Sequence, residues 1–226
     1  MNQSATSGWR FSMGTPKKDR ATMPTMKQLL HVHGGDSLPQ GTDFFDYWDN
    51  DSWVATMKNP FEAAHKKKKK WKDDLVEQLG SEWACVFPRF PNDMDAHYPE
   101  WKWWFEKHVP FMNDGVVLTG HSLGGNFLTK YLAEEAVPIM VAQLHLIAPS
   151  WSEGDFTIPS DVSLLQKQVG KTYLYFSKDD PIVPFAISEK YHAALPQAAL
   201  IAFEDYGHFF AQESFPELVR NIKGSA

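Results

Sequence analysis

Gly115-Val116-Val117-Leu118-Thr119-Gly120-His121-Ser122-Leu123-Gly124-Gly125 is the stretch that decides the fold. Residues 115–119 are β-formers without polar alternation, as a strand covered on both faces requires. Phe127, Leu128, Tyr131 and Leu132 then recur at helical spacing. Between strand and helix, Gly120-His121-Ser122-Leu123-Gly124 fits G-x-S-x-G, which sets a serine on a sharp, strained turn. Gly120 and Gly124 leave room where the two elements approach each other. The turn exposes the Ser122 hydroxyl at the C-terminal edge of a sheet and aims the Leu123 amide at the same point.

Outward from this turn the chain alternates strand and helix. Residues 26–36 read as a strand feeding a tight loop at Gly34-Gly35, and 37–59 as broken helical turns carrying Phe44, Phe45, Tyr47, Trp48 and Trp53. Trp71, Leu75 and Leu79 mark a helix that Gly80 ends. A strand over 83–87 precedes a helix over 98–111, whose Trp101, Trp104, Phe105 and Val109 share a face and whose reach Pro110 limits. Strands over 141–147, 171–177 and 199–203 follow, with helices over 185–194 and 216–222. This order predicts an α/β fold, a mostly parallel sheet with helices on both faces. Residues 149–168 are the only obvious place for a cap, and a minimal one. Trp151 and Phe156 are expected there as walls of a shallow pocket for short acyl groups.

An alcohol attacks a carbonyl near neutral pH only when a base takes its proton. In a sheet of this kind the partners follow the serine in the order carboxylate, then histidine. Lys178-Asp179-Asp180-Pro181 comes directly after one later strand, and Tyr206-Gly207-His208 after the next. Both loops fall at C-terminal strand ends, where open α/β sheets hold their ligands. His121 adjoins the serine too closely to serve as base and suits orientation or packing. His31 and His33 could face one side of a strand, but no third ligand accompanies them, so no metal site is expected.

The 226 residues fit one core, and 43% hydrophobic content excludes a wholly disordered chain. A formal net charge of -6 argues against nucleic acid or an anionic membrane surface as partner. No apolar run approaches the roughly 18 residues that a membrane span needs. The lone Cys85, in an apolar run, reads as a reduced structural thiol, and the location expected is cytoplasmic. Residues 1–25 hold Arg10, Lys17, Lys18 and Arg20 without an apolar period and read as a flexible leader, with the domain over 26–226. The lysine run 66–70 reads as the solvated face of a helix.

At these residues the chain resembles the α/β-hydrolase superfamily, in particular its small serine hydrolases with little or no lid, related to retinoblastoma-binding protein nine. The likeness spans roughly 26–222. It rests on His33-Gly34-Gly35, on 88–101 with Asn92, Ala96, Tyr98 and Trp101, and on the serine turn with Gly125. Asp180-Pro181-Ile182-Val183-Pro184 and Gly207-His208-Phe209 complete it. The resemblance implies a triad of Ser122, Asp180 and His208, with Asp180 rather than Asp179 orienting the imidazole. It implies oxyanion amides from Leu123 and from the glycine loop, Gly35 foremost and Gly34 beside it. The expected substrate is a small-molecule ester, less often an amide or thioester, with no cofactor. A non-catalytic binding module on the same scaffold, and an acyltransferase using the same residues, are the competing readings. The leader and the lysine run depart from the family pattern.

Overall fold

The computed structural model describes residues 26–50 and 69–224. The leader, Trp53 and Lys66 to Lys68 lie outside the described residues. Six strands form one sheet: β1 Lys27–Val32, β2 Trp83–Val86, β3 Val116–His121, β4 Val141–Ile147, β5 Val169–Ser177 and β6 Ala199–Phe203. Every pairing is parallel, in the order β2-β1-β3-β4-β5-β6. The chain steps from β1 out to β2 and then returns to β3 on the other side, so the winding reverses between β1 and β3. A crevice at the C-terminal strand ends forms at such a reversal.

Among the described residues the helices are α1 Phe44–Asn50, α2 Trp71–Leu79, α3 Tyr98–Glu106, α4 Leu123–Glu134, α5 Ser163–Gln168, α6 Ile187–Ala194 and α7 Pro216–Lys223. Alternation along the strands sends side chains to two cores. Leu30, Val116, Leu118, Leu144, Leu174 and Phe176 meet α3 to α6 through Trp101, Phe105, Phe127, Leu165 and Tyr191. Leu29, Val117 and Tyr175 meet α2 and α7 through Trp71, Leu75, Leu218 and Ile222. All six residues of β3 are buried, as its unbroken apolar pattern requires. No helix among the described residues is long and apolar enough to cross a membrane.

Four expectations need correction. The helix over 98–111 stops at Glu106, and Val109–Phe111 is a separate 3₁₀ turn, because Pro110 has no N–H to continue the ladder. Lys69 and Lys70 precede α2 rather than lining it, since Lys70 is extended and its amide bonds the Asp73 carboxylate at 3.1 Å. His31 and His33 face opposite layers: His31 packs on Trp71, His33 on Phe90 and Trp101. Strand alternation does not bring them to one side because the chain has left β1 at Val32. Phe156 is no pocket wall. It is wholly buried against Tyr98 and Trp101, while Trp151 sits half-buried on the edge of Tyr191.

The segment over 149–168 is a short tie rather than a lid. The Ser150 hydroxyl accepts from Asn126 Nδ2 and donates to Glu153, and Tyr191 donates to the Ser150 carbonyl. Glu153 also takes the Ser37 amide, which joins this segment to the loop after β1. Burial raises the Glu153 carboxyl above its ordinary pKa.

Candidate active site

The serine turn is fixed by backbone crowding. Ser122 adopts φ 52° and ψ −125°, a conformation that costs a non-glycine residue about 1–3 kcal/mol and persists only when its surroundings enforce it. A methyl group on Gly120 would lie 2.6 Å from the Gly124 carbonyl, and one on Gly124 would lie 2.4 Å from the carbonyls of Val32 and His33. β1, β3 and the first turn of α4 therefore touch backbone to backbone. The Ser122 amide bonds the Ile147 carbonyl at 2.8 Å, which ties the turn to β4 as well. As the first residue of α4, Leu123 has no carbonyl one helical turn behind it, so its amide is left for another acceptor.

The other two residues meet directly. His208 Nδ1 and Asp180 Oδ2 are 2.8 Å apart, with side chains 2% and 1% exposed. The second carboxylate oxygen of Asp180 accepts the amides of Ile182 and Val183 at 2.8 and 3.0 Å, the turn that Pro181 initiates. Three of the carboxylate's hydrogen bonds are thereby accounted for, and its orientation is set. Asp179 points elsewhere. Its Oδ1 takes the Ser177 hydroxyl at 2.5 Å and the Gly207 amide at 2.8 Å, bonds that hold its carboxyl below the ordinary range. Asp180 is thus the acid in contact with the imidazole, and Asp179 the one that holds the loop before it.

His121 joins the histidine loop to the serine turn. Its Nε2 donates to the His208 carbonyl at 2.8 Å, and the two rings lie 4.9 Å apart. Burial above all, and then the neighbouring His208, keep the His121 pKa well below its usual value, so it stays neutral. Among the described residues no hydrogen bond joins His208 to the Ser122 hydroxyl. Free enzymes commonly hold that contact loosely until substrate docks. Gly34 abuts Ser122, since a methyl group on it would lie 3.1 Å from Ser122 Cβ. Gly35 packs instead on the Asp93 carbonyl, where a methyl group would come within 2.6 Å.

The sequence does not announce the remaining holders of this loop. Trp71 Nε1 donates to the Phe209 carbonyl at 3.0 Å, Gln212 to the Tyr206 carbonyl at 2.9 Å, and the Tyr206 amide to the Ser177 hydroxyl at 2.9 Å. Phe209 needs this restraint, because it holds φ 58° directly after His208. A cavity of about 300 Å³ is lined by Gly34 and His121, both neighbours of Ser122; Trp151 and Phe156 are not in its wall. A larger hollow of about 650 Å³ opens near the start of β5 and β6, at the opposite end of the sheet from the triad. Among the described residues no group of histidine, cysteine and acid side chains could hold a metal ion.

No protein-family model and no curated protein matches the chain. Solved structures do. The ydeN gene product of Bacillus subtilis superposes with a TM-score of 0.68 at 18% identity, over 88% of this chain and 98% of that one. A structure from Thermoplasma acidophilum described as a CIB-like hydrolase reaches 0.55 at 18% identity, over 90% and 87%. The esterase EaEST of Exiguobacterium antarcticum reaches 0.51 at 14% identity, over 88% and 91%. The chain has the α/β-hydrolase fold with a minimal cap. These likenesses bear on the fold and not on the narrower retinoblastoma-binding protein nine group.

Proposed function

We propose that the protein is a serine hydrolase that cleaves small carboxylic esters through an acyl-enzyme on Ser122. The observation that carries this reading is the Asp180–His208 hydrogen bond of 2.8 Å, excluded from solvent, with the His208 carbonyl tied to His121, the residue beside a strained serine. Asp180 fixes the imidazole tautomer that bears its proton on Nδ1, which leaves Nε2 to take the Ser122 proton during attack. The tetrahedral oxyanion is held by the Leu123 amide and by an amide of the Gly34-Gly35 loop. Each such donor typically contributes about 100- to 1,000-fold in rate. His208 then protonates the departing alcohol, and water repeats the sequence to release the acid. Amides and thioesters use the same groups. The printed descriptions of the Thermoplasma and Exiguobacterium structures, a hydrolase and an esterase, support the reaction class by analogy of fold.

A fluorophosphonate probe tests the reading. Wild type should be labelled and should turn over 4-nitrophenyl acetate, and Ser122→Ala should do neither. Equal labelling of the variant would remove Ser122 from the role.

A further inference from the structure

The cavity beside Ser122 has an unusual wall. Trp71, His33, His121 and Phe210 line it together with two cations, Lys70 and Lys72. Phe210 also stands against the ring of His208 at 4.9 Å, so the space borders the reacting groups. Lys72 is half-buried on α2, with its ammonium 5.6 Å from the centre of the Trp71 ring. It makes no ion pair among the described residues, unlike Lys69 three residues earlier, which holds both Asp74 and Glu77. The one acid in the wall, Asp93, faces Arg89 at 3.6 Å. Both imidazoles are kept neutral by burial, and the Lys72 charge bears on each of them. Lys72 and the Trp71 ring it lies over both line the cavity.

A half-buried cation with no anionic partner among the described residues lowers the stability of the free protein unless something anionic compensates it. We propose that this cavity is the subsite for a compact anion carried by the substrate, a carboxylate or a phosphate, held by Lys72 with Lys70 at the rim. The substrate class, on the reading of Ser122 as nucleophile, is then an ester or thioester with a negatively charged group a few bonds from the scissile carbonyl. Burial, with Lys70 next, brings the Lys72 pKa down to about 8, which an anion in the cavity would reverse. The protein's overall charge of -6 opposes this preference, so the selectivity belongs to the local pair and not to the global field.

The experiment compares kcat/KM for neutral 4-nitrophenyl acetate with three anionic esters: mono-4-nitrophenyl glutarate, 4-acetoxybenzoate and 4-acetoxyphenyl phosphate. They place a carboxylate on the acyl half, a carboxylate on the alcohol half, and a phosphate on the alcohol half. At low salt at least one anionic ester should be preferred by about tenfold or more, as expected for hydrogen bonds to a charged group. That preference should fall about tenfold in Lys72→Met, survive in Lys72→Arg, and weaken a few-fold in Lys70→Met, which sits on an exposed position. The arm that wins identifies the anion and its half of the substrate. Calorimetric titration of glutarate and of inorganic phosphate reads the subsite without turnover and should weaken in parallel in Lys72→Met. Failure to cleave the neutral ester or to react with fluorophosphonate would sink the hydrolase reading alone. Cleavage of every ester at similar rates, with neither anion binding, would overturn the subsite.

Discussion

The serine turn and the histidine loop stand side by side and are held by opposite means. At the turn, Gly120 and Gly124 let backbone touch backbone, and steric exclusion leaves Ser122 one conformation. At the loop from Tyr206 to Gln212, hydrogen bonds donated by His121 and Trp71 and accepted by Asp179 and Ser177 suspend an otherwise open segment. Crowding permits no graded adjustment, because an added methyl has nowhere to go. A set of hydrogen bonds can be removed one at a time. The nucleophile should therefore fail abruptly on substitution and the base by degrees.

The largest effect should come where the two regions share a function. Asp180→Asn favours the wrong imidazole tautomer and should lower kcat about 10⁴-fold with little change in Tm, while Asp179→Asn stays within a few-fold. The reverse order would mean that Asp179 is the orienting acid. Gly124→Ala tests abruptness. It should lose about 100-fold in kcat, the cost of displacing a reacting group by about 1 Å, and about 1–3 kcal/mol of stability from overpacking. A near-normal enzyme would show that the turn is not sterically locked. His121→Phe keeps the ring but deletes the donor to the His208 carbonyl, and should cost about 10- to 100-fold in kcat with KM nearly constant. An equal rise in KM would point to a substrate contact instead.

The smallest effect concerns pH. Burial lowers the folded-state pKa of His31 and His121 well below the ordinary 6.5, and that of His145 to about 3. The unfolded chain then binds protons first, so stability is complete above about pH 6.5 and declines as pH falls toward the folded values. Each of these histidines contributes up to about 1.4 kcal/mol per pH unit in that window. His145→Gln should flatten the decline between pH 6 and 4, as urea denaturation at several pH values would measure. His121→Phe should do the same and leave the remaining decline to His31 and His145. An unchanged slope in both variants would show that these side chains do not carry the acid sensitivity.

The same contrast explains what could be read from the chain alone. Crowding is local in sequence: strand, glycines, serine and helix fall within 115–134, and their pattern carries both the fold and the strained position of Ser122. Asp180 and His208 follow because each ends a recognisable strand. The tethers are not local. Trp71 reaches Phe209 across 138 positions and His121 reaches His208 across 87, and no periodicity links such pairs. Phe156 misled for a related reason, since an aromatic in a polar stretch looks exposed until the fold supplies Tyr98 and Trp101 to cover it. Lys70 likewise reads as solvated charge until the entry into α2 sets it against the loop after β1.

The Trp71 to Phe209 bond also bears on how the protein is made. The proposed base is translated after the serine turn and is steadied by a tryptophan translated far earlier, while the serine between them waits on strands from both sides of it. A chain released before β6 would carry every ingredient of the serine turn and still lack His208, its proposed proton acceptor. Activity would thus appear only when the histidine loop joins the turn made before it, and would report that docking step.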